Sequence, residues 1–238
     1  YITNVGQEIG QFYGWAYEGI ARTQEDLDNH ATQEGAQIGD CLYKDISGPD
    51  GKPDGKVDAN DQVVLGSGMP KIHFGLNARF EYKRFDLSIA TFGALNYHVS
   101  DDIYNSLNSC YGWGNKEVGV LDANRFSEDG STYLSNVPRT YVTNSASLGW
   151  NDLFSSRKIQ NAAYWKIANV ELGYNFPNEW FGKYVSDVRF YVSAQNLHTF
   201  TGYHGYNVDY AGGTFTPGYN FCSYPTARTF MCGVHFTF

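Results

Sequence analysis

From Ile72 to Tyr82 apolar and polar residues alternate. Ile72, Phe74, Leu76, Ala78, Phe80 and Tyr82 fall on one parity, and His73, Gly75, Asn77, Arg79 and Glu81 on the other. A period of two residues is the mark of a strand that shows one face to an apolar medium and the other to a polar one. After Lys83-Arg84 the alternation resumes with Phe85, Leu87, Ile89, Thr91, Leu95 and Tyr97 on one face and Asp86, Ser88, Ala90, Ala94 and Asn96 on the other. Two such runs about a two-residue connection predict a hairpin. Three further runs follow the same rule. Tyr164, Ala168, Val170, Leu172 and Tyr174 oppose Asn169, Glu171, Gly173 and Asn175; Val188, Phe190, Val192 and Ala194 oppose Arg189, Ser193 and Gln195; Phe230, Cys232, Val234, Phe236 and Phe238 oppose Thr229, Gly233, His235 and Thr237. A first, less regular strand is expected over Ile9–Ile20.

The runs are about 10–12 residues long, the length a tilted strand needs to cross the hydrocarbon of a membrane. Strands of soluble domains are nearer five or six. The polar faces carry Arg, Glu, His and Asn, which suit a wet lumen better than a dry sandwich core. On this pattern Lys166 is the one charge on an apolar face, placed near a strand end where its ammonium can reach the interface. The fold class expected is all-β: a transmembrane antiparallel β-barrel, of which this chain supplies about six C-terminal strands. Six strands do not close a useful bore, so further strands are expected upstream. Connections are short at Lys83-Arg84 and around Pro177–Asp187, and long over about 21–70, 98–160 and 199–227. The short ones are assigned to the periplasm and the long ones to the cell exterior.

Composition agrees with many strands and turns. Among 238 residues there are 19 Tyr, 16 Phe and 26 Gly, against only 7 Pro. No stretch approaches the roughly 20 apolar residues of a membrane helix. A mean hydropathy of −0.42 does not exclude a barrel, because alternation averages the lipid-facing residues away. The net charge of −8 argues against nucleic acid, which needs a basic face. Residues 21–70 hold ten Asp or Glu and four Lys or Arg, so most of that charge is concentrated there. Cys41, Cys110, Cys222 and Cys232 lack metal-ligand spacing. The first residue is Tyr1 rather than Met, as expected of a piece of a longer polypeptide.

Three segments then carry a resemblance. Arg189 to Tyr206, with its Asn196-Leu197-His198-Thr199-Phe200-Thr201-Gly202-Tyr203-His204-Gly205-Tyr206 ending, is similar to a strand of the SusC-like TonB-dependent outer-membrane transporters. So are Tyr224-Pro225 through Arg228-Thr229-Phe230 to Phe238, and Ala163-Tyr164-Trp165-Lys166-Ile167 with Leu172-Gly173-Tyr174 and Pro177. The family's continuation after Gly-Tyr is replaced here by Asn207-Val208-Asp209, and no role is carried to that spot. The resemblance covers essentially the whole chain and implies a barrel of about 22 strands around an N-terminal plug that is not in this chain. It implies location in the bacterial outer membrane among its lipids and energy from the TonB complex through an upstream segment. It also implies a SusD-like surface lipoprotein as lid and import of a large nutrient, an oligosaccharide first and a peptide second. A terminal Phe resembles the signal read by the barrel-assembly machinery.

Chemistry-bearing motifs are few. Asp50, Asp54, Asp58 and Asp61 occupy positions 1, 5, 9 and 12 of a calcium loop, with Lys56 offering its carbonyl and Gly55 at the sharp turn. Lys52 at position 3 offers no oxygen and Asp61 stands where Glu is usual. Read so, a structural Ca2+ would pin a long loop; the alternative is a solvated acidic turn. No spacing typical of zinc hydrolases, no G-x-S-x-G elbow and no Walker loop occurs, so no enzyme is expected. Loop aromatics are the candidate substrate contacts: Tyr111 and Trp113 in the second long loop, Tyr203 and Tyr206 in the last. A secreted β-sandwich that binds calcium and glycans is the competing class.

Overall fold

The computed structural model describes residues 1–109, 115–121, 125–139, 149–181, 185–209 and 212–238. They form two compact units, one of residues 1–69, 98–160 and 210–222, the other of residues 70–97, 161–209 and 223–238.

The second unit is one antiparallel sheet. Its strands are β1 (Ile72–Tyr82), β2 (Phe85–Leu95), β3 (Tyr164–Asn175), β4 (Asp187–Thr201) and β5 (Thr229–Thr237). Each pairs with its neighbour in sequence, so the order across the sheet is simply β5-β4-β3-β2-β1. The hairpin closes at Tyr82 opposite Phe85. Lys83 takes a left-handed φ of 56°, which a two-residue connection between right-twisted strands requires. Among the described residues the outer edges of β1 and β5 have no strand partner.

Apolar side chains on one side of the sheet are uncovered. Leu76 is 61% exposed and Val234 50%, with Phe74, Phe190, Val192 and Phe236 also exposed and Ile89 half-buried. A soluble sandwich would bury that row under a second layer; among the described residues no protein layer covers it. The other side is polar, and packed along its three middle strands. Arg189, Asp86, Glu171, Ser193 and Lys166 lie there, and Asp86, Ser193 and Lys166 are buried.

Lys166 departs from the alternation expected of β3. Ala90 opposes Asn169, but Thr91 opposes Ile167, so Ala168 is an extra residue, a β-bulge. A bulge of one residue reverses the parity of everything beyond it. Trp165 and Ile167 therefore share a face with Val170 and Leu172, while Tyr164 and Lys166 turn to the polar side. Strand β4 answers with two unmatched residues, Asn196 and Leu197, between Gln195 and His198. Asn196 adopts a φ of 52°, which an Asn tolerates better than most residues. The charge expected on the apolar face is thus not there.

The other unit is built from short pairings. Ile9–Ile20, expected as a sixth long strand, is broken at Ala16. Gln11–Trp15 pairs with Gln62–Ser67, and Tyr17–Ile20 with Cys41–Tyr43. The break has a local cause. Trp15 donates its amide to Phe154 and Lys44 donates to the Ala16 carbonyl, so two different partners take up the two halves. At Gly14 a Cβ would collide with the Phe154 carbonyl oxygen, so only glycine permits that crossing. Cys41, Tyr43 and Val57 form a small core with Trp15, Tyr17 and Trp150 packed on it.

Candidate functional site

The polar face of the sheet carries two ionic clusters that alternation alone does not reveal. Near the hairpin end, Arg189 on β4 donates from Nε and Nη2 to both carboxylate oxygens of Asp86 on β2, and Nη2 also reaches Glu171 Oε1 on β3 at 2.8 Å. Three strands are thereby clasped by one guanidinium, a bidentate arrangement stronger than a single contact. Gly173 makes room for it: a Cβ there would overlap Arg189 Nη2 and lie 2.5 Å from Asp86 Oδ1.

At the opposite end of β3, Lys166 is 4% exposed. Its Nζ donates to Asp209 Oδ2 at 2.8 Å and lies 5.8 Å from the centre of the Phe92 ring. Phe92 is its direct cross-strand partner. A cavity of about 220 Å³ opens beside this pair, lined among others by Thr199, Thr201, Tyr206, Asn207 and Asp209. The Asn207 side chain accepts from the Asp209 amide, so the segment replacing the family's usual continuation holds the counter-charge in place.

In the other unit the acidic loop is organised by its own backbone. Asp61 is fully buried and accepts from the amides of Ile46, Ser47 and Asp58. Burial pushes its pKa up, but the Ser47, Asp58 and Ile46 amides outweigh that and hold it below the ordinary carboxylate range. Asp58 caps a short 3-10 turn through the Asn60 amide, and Asp54 accepts from the Lys56 amide. Asp45 accepts from the Gly55 amide. Asp50 is exposed. Among the described residues no three His, Cys, Asp or Glu side chains converge on a point that could hold a metal.

A larger cavity, about 780 Å³, is lined in the same unit by residues including Gln24, Asp28, His30, Gln37, Arg125 and Phe126. Its wall is fixed by a buried polar hub. Arg139 and Asn151 both donate to Asp40, and Asn151 Oδ1 in turn accepts the Cys41 amide. Of the candidate aromatics, Tyr203 is buried and Tyr206 is 69% exposed; Tyr111 and Trp113 lie outside the described residues. Sequence reasoning missed Lys166 and Asp209 because it carried one parity through β3. The available signal was Tyr164-Trp165-Lys166-Ile167, which alternates cleanly only if its register differs from that of Asn169–Asn175.

No family model matches the chain. It is 29% identical over its full length to a TonB-dependent receptor, P3, of Formosa agariphila. It is 25% identical over 83% of its length to the TonB-dependent receptor SusC of Bacteroides thetaiotaomicron. The chain spans only 23% and 19% of these two relatives. Among solved structures, the RagAB peptide transporter superposes on 94% of the chain with a TM-score of 0.69 at 20% identity, this chain covering 22% of it. The RagAB importer in its open-open state superposes on all of the chain with the same score at 22% identity. At such identity the superpositions speak for the fold, and the fold is that of an outer-membrane barrel. Uncovered apolar face, polar opposite face, sequential antiparallel order and full-length similarity agree: the chain resembles TonB-dependent receptors, SusC among them, and has the fold of a segment of an outer-membrane β-barrel.

Proposed function

We propose that the intact protein imports a large nutrient across the outer membrane, using energy delivered by TonB and a SusD-like surface lipoprotein as lid, and performs no catalysis. The observation that carries this is the two-sided sheet: one face offers bare Leu, Val and Phe side chains to lipid, while the other holds paired charges suited to an aqueous lumen. The cargo assigned is an oligosaccharide. Peptide is the second reading, favoured by the likeness of the fold to RagAB, a peptide transporter. In the native bacterium, uptake of fluorescently labelled neutral oligosaccharides is expected to disappear when either this receptor or TonB is deleted. If labelled peptides alone lose entry, the cargo is peptide; if deletion of TonB leaves uptake intact, the import proposal fails.

A structural calcium in the loop of Asp50, Asp54, Lys56, Asp58 and Asp61 belongs to the same proposal and rests on the acidic sequence. In the conformation described Asp61 is taken up by three amides, so binding requires the other carboxylates to turn inward. A rise in melting temperature of the intact receptor on adding Ca2+ after chelation is the expected result. Equal melting removes the ion.

A further inference from the structure

Lys166 presents an imbalance that points to a ligand. An ammonium has three N–H donors, yet among the described residues Lys166 makes one hydrogen bond, to Asp209. The side chain is nonetheless almost wholly buried, and buried donors are ordinarily satisfied. The cavity next to it is about 220 Å³, the room of roughly seven waters and too small for most whole ligands. It fits one ring-sized unit of something longer.

The walls say what kind of unit. Lys166 and Asp209 together carry no net charge, so the pocket does not favour an anion or a cation as a whole. It presents donors from Lys166 Nζ beside an acceptor in Asp209, the complement of a group that both accepts and donates. Adjacent hydroxyls do this: one oxygen accepts from the ammonium while its neighbour donates to the carboxylate. A carboxylate ligand would meet Lys166 but also the repulsion of Asp209. Thr199 adds a hydroxyl on the same wall, and the exposed Tyr206 ring supplies a flat apolar surface for the C–H face of a sugar.

We infer that Lys166, Asp209, Thr199 and Tyr206 form a binding subsite for one neutral saccharide unit on the polar face of the barrel sheet. This site rests on the import proposal for its purpose but not for its test, which measures binding alone. The full-length receptor in detergent is examined by saturation-transfer NMR with glucose, galactose, mannose, fucose and xylose, each at millimolar concentration, and with triglycine. At least one sugar is expected to receive saturation, and Tyr206→Ala and Lys166→Met with Asp209→Asn are each expected to weaken that signal at least tenfold. The double substitution removes both charges together, and Tyr206→Ala, being at an exposed residue, leaves folding intact should the double variant not assemble. No transfer to any of the five sugars overturns the inference, as does transfer unchanged by Tyr206→Ala. Transfer to triglycine alone, lost in the double variant, overturns it in favour of a carboxylate site. Sugar binding with TonB-independent uptake would keep the subsite while removing the import proposal.

Discussion

Asp61, picked out by the sequence as a calcium ligand, also organises the backbone around it. The sequence places it at the end of an acidic run, where a cation would use its oxygens. In the fold those oxygens accept the amides of Ile46, Ser47 and Asp58 and so tie two segments of the loop together. A hydrogen bond to a charged group contributes about 1.5–3 kcal/mol, and the three are coupled, so Asp61→Ala is expected to destabilise this unit by roughly 3–5 kcal/mol. Amide hydrogen exchange of residues 45–61 in the intact receptor is the measurement, and unchanged protection would refute the role. The pH dependence has a definite sign. Because the folded pKa is depressed, the stabilisation is complete above the unfolded value of about 4 and is lost as pH falls through the lower folded value. Protection factors in this loop, taken relative to the intrinsic exchange rate at each pH, should fall below about pH 4. Lys83 is a smaller case. Its left-handed φ costs a side-chain-bearing residue about 1–2 kcal/mol, so Lys83→Gly is expected to be neutral or slightly stabilising and Lys83→Val damaging, read from the unfolding midpoint in urea.

At the scale of elements, the two faces of the sheet make opposite demands. Val192 sits on the uncovered face of β4, and Gln195 on the polar one. Val192→Arg places a charge in hydrocarbon and should cost about 2–4 kcal/mol, whereas Gln195→Arg should cost little. The heat-modifiable mobility of the assembled receptor on electrophoresis reports the difference, and equal loss of the folded band from both would contradict the assignment of faces. Gly173 is constrained by neighbours rather than by its backbone. Gly173→Ala drives a methyl into the Arg189–Asp86 pair, and overpacking of this kind costs about 1–3 kcal/mol. The same element carries the clearest failure of pattern reading. Alternation locates β3 and names its residues, but a single extra residue at Ala168 turns Tyr164 and Lys166 to the other side. Period-two reasoning has no means of counting a residue that the neighbouring strand leaves unpaired.

For the molecule as a whole, the sheet is one section of a closed surface. Both outer edges, at β1 and β5, lack strand partners among the described residues, and the apolar face lacks cover. Expressed alone in water, the 238-residue chain should aggregate through those edges and that face, and acquire strand structure only in detergent; a monomeric, soluble and folded product in sedimentation and circular dichroism would refute this. What the residues determined unaided is the set of strands over 72–95, 164–175, 188–195 and 229–237, the hairpin at Lys83-Arg84 and the two-sidedness, because alternation is local and survives any arrangement of neighbours. The tertiary structure alone decided which side Lys166 faces, that Ile9–Ile20 divides between two partners, and that Asp61 holds amides. Each depends on what another, distant segment presents in register, and a charge or a carboxylate has no preference of its own until that partner is in place.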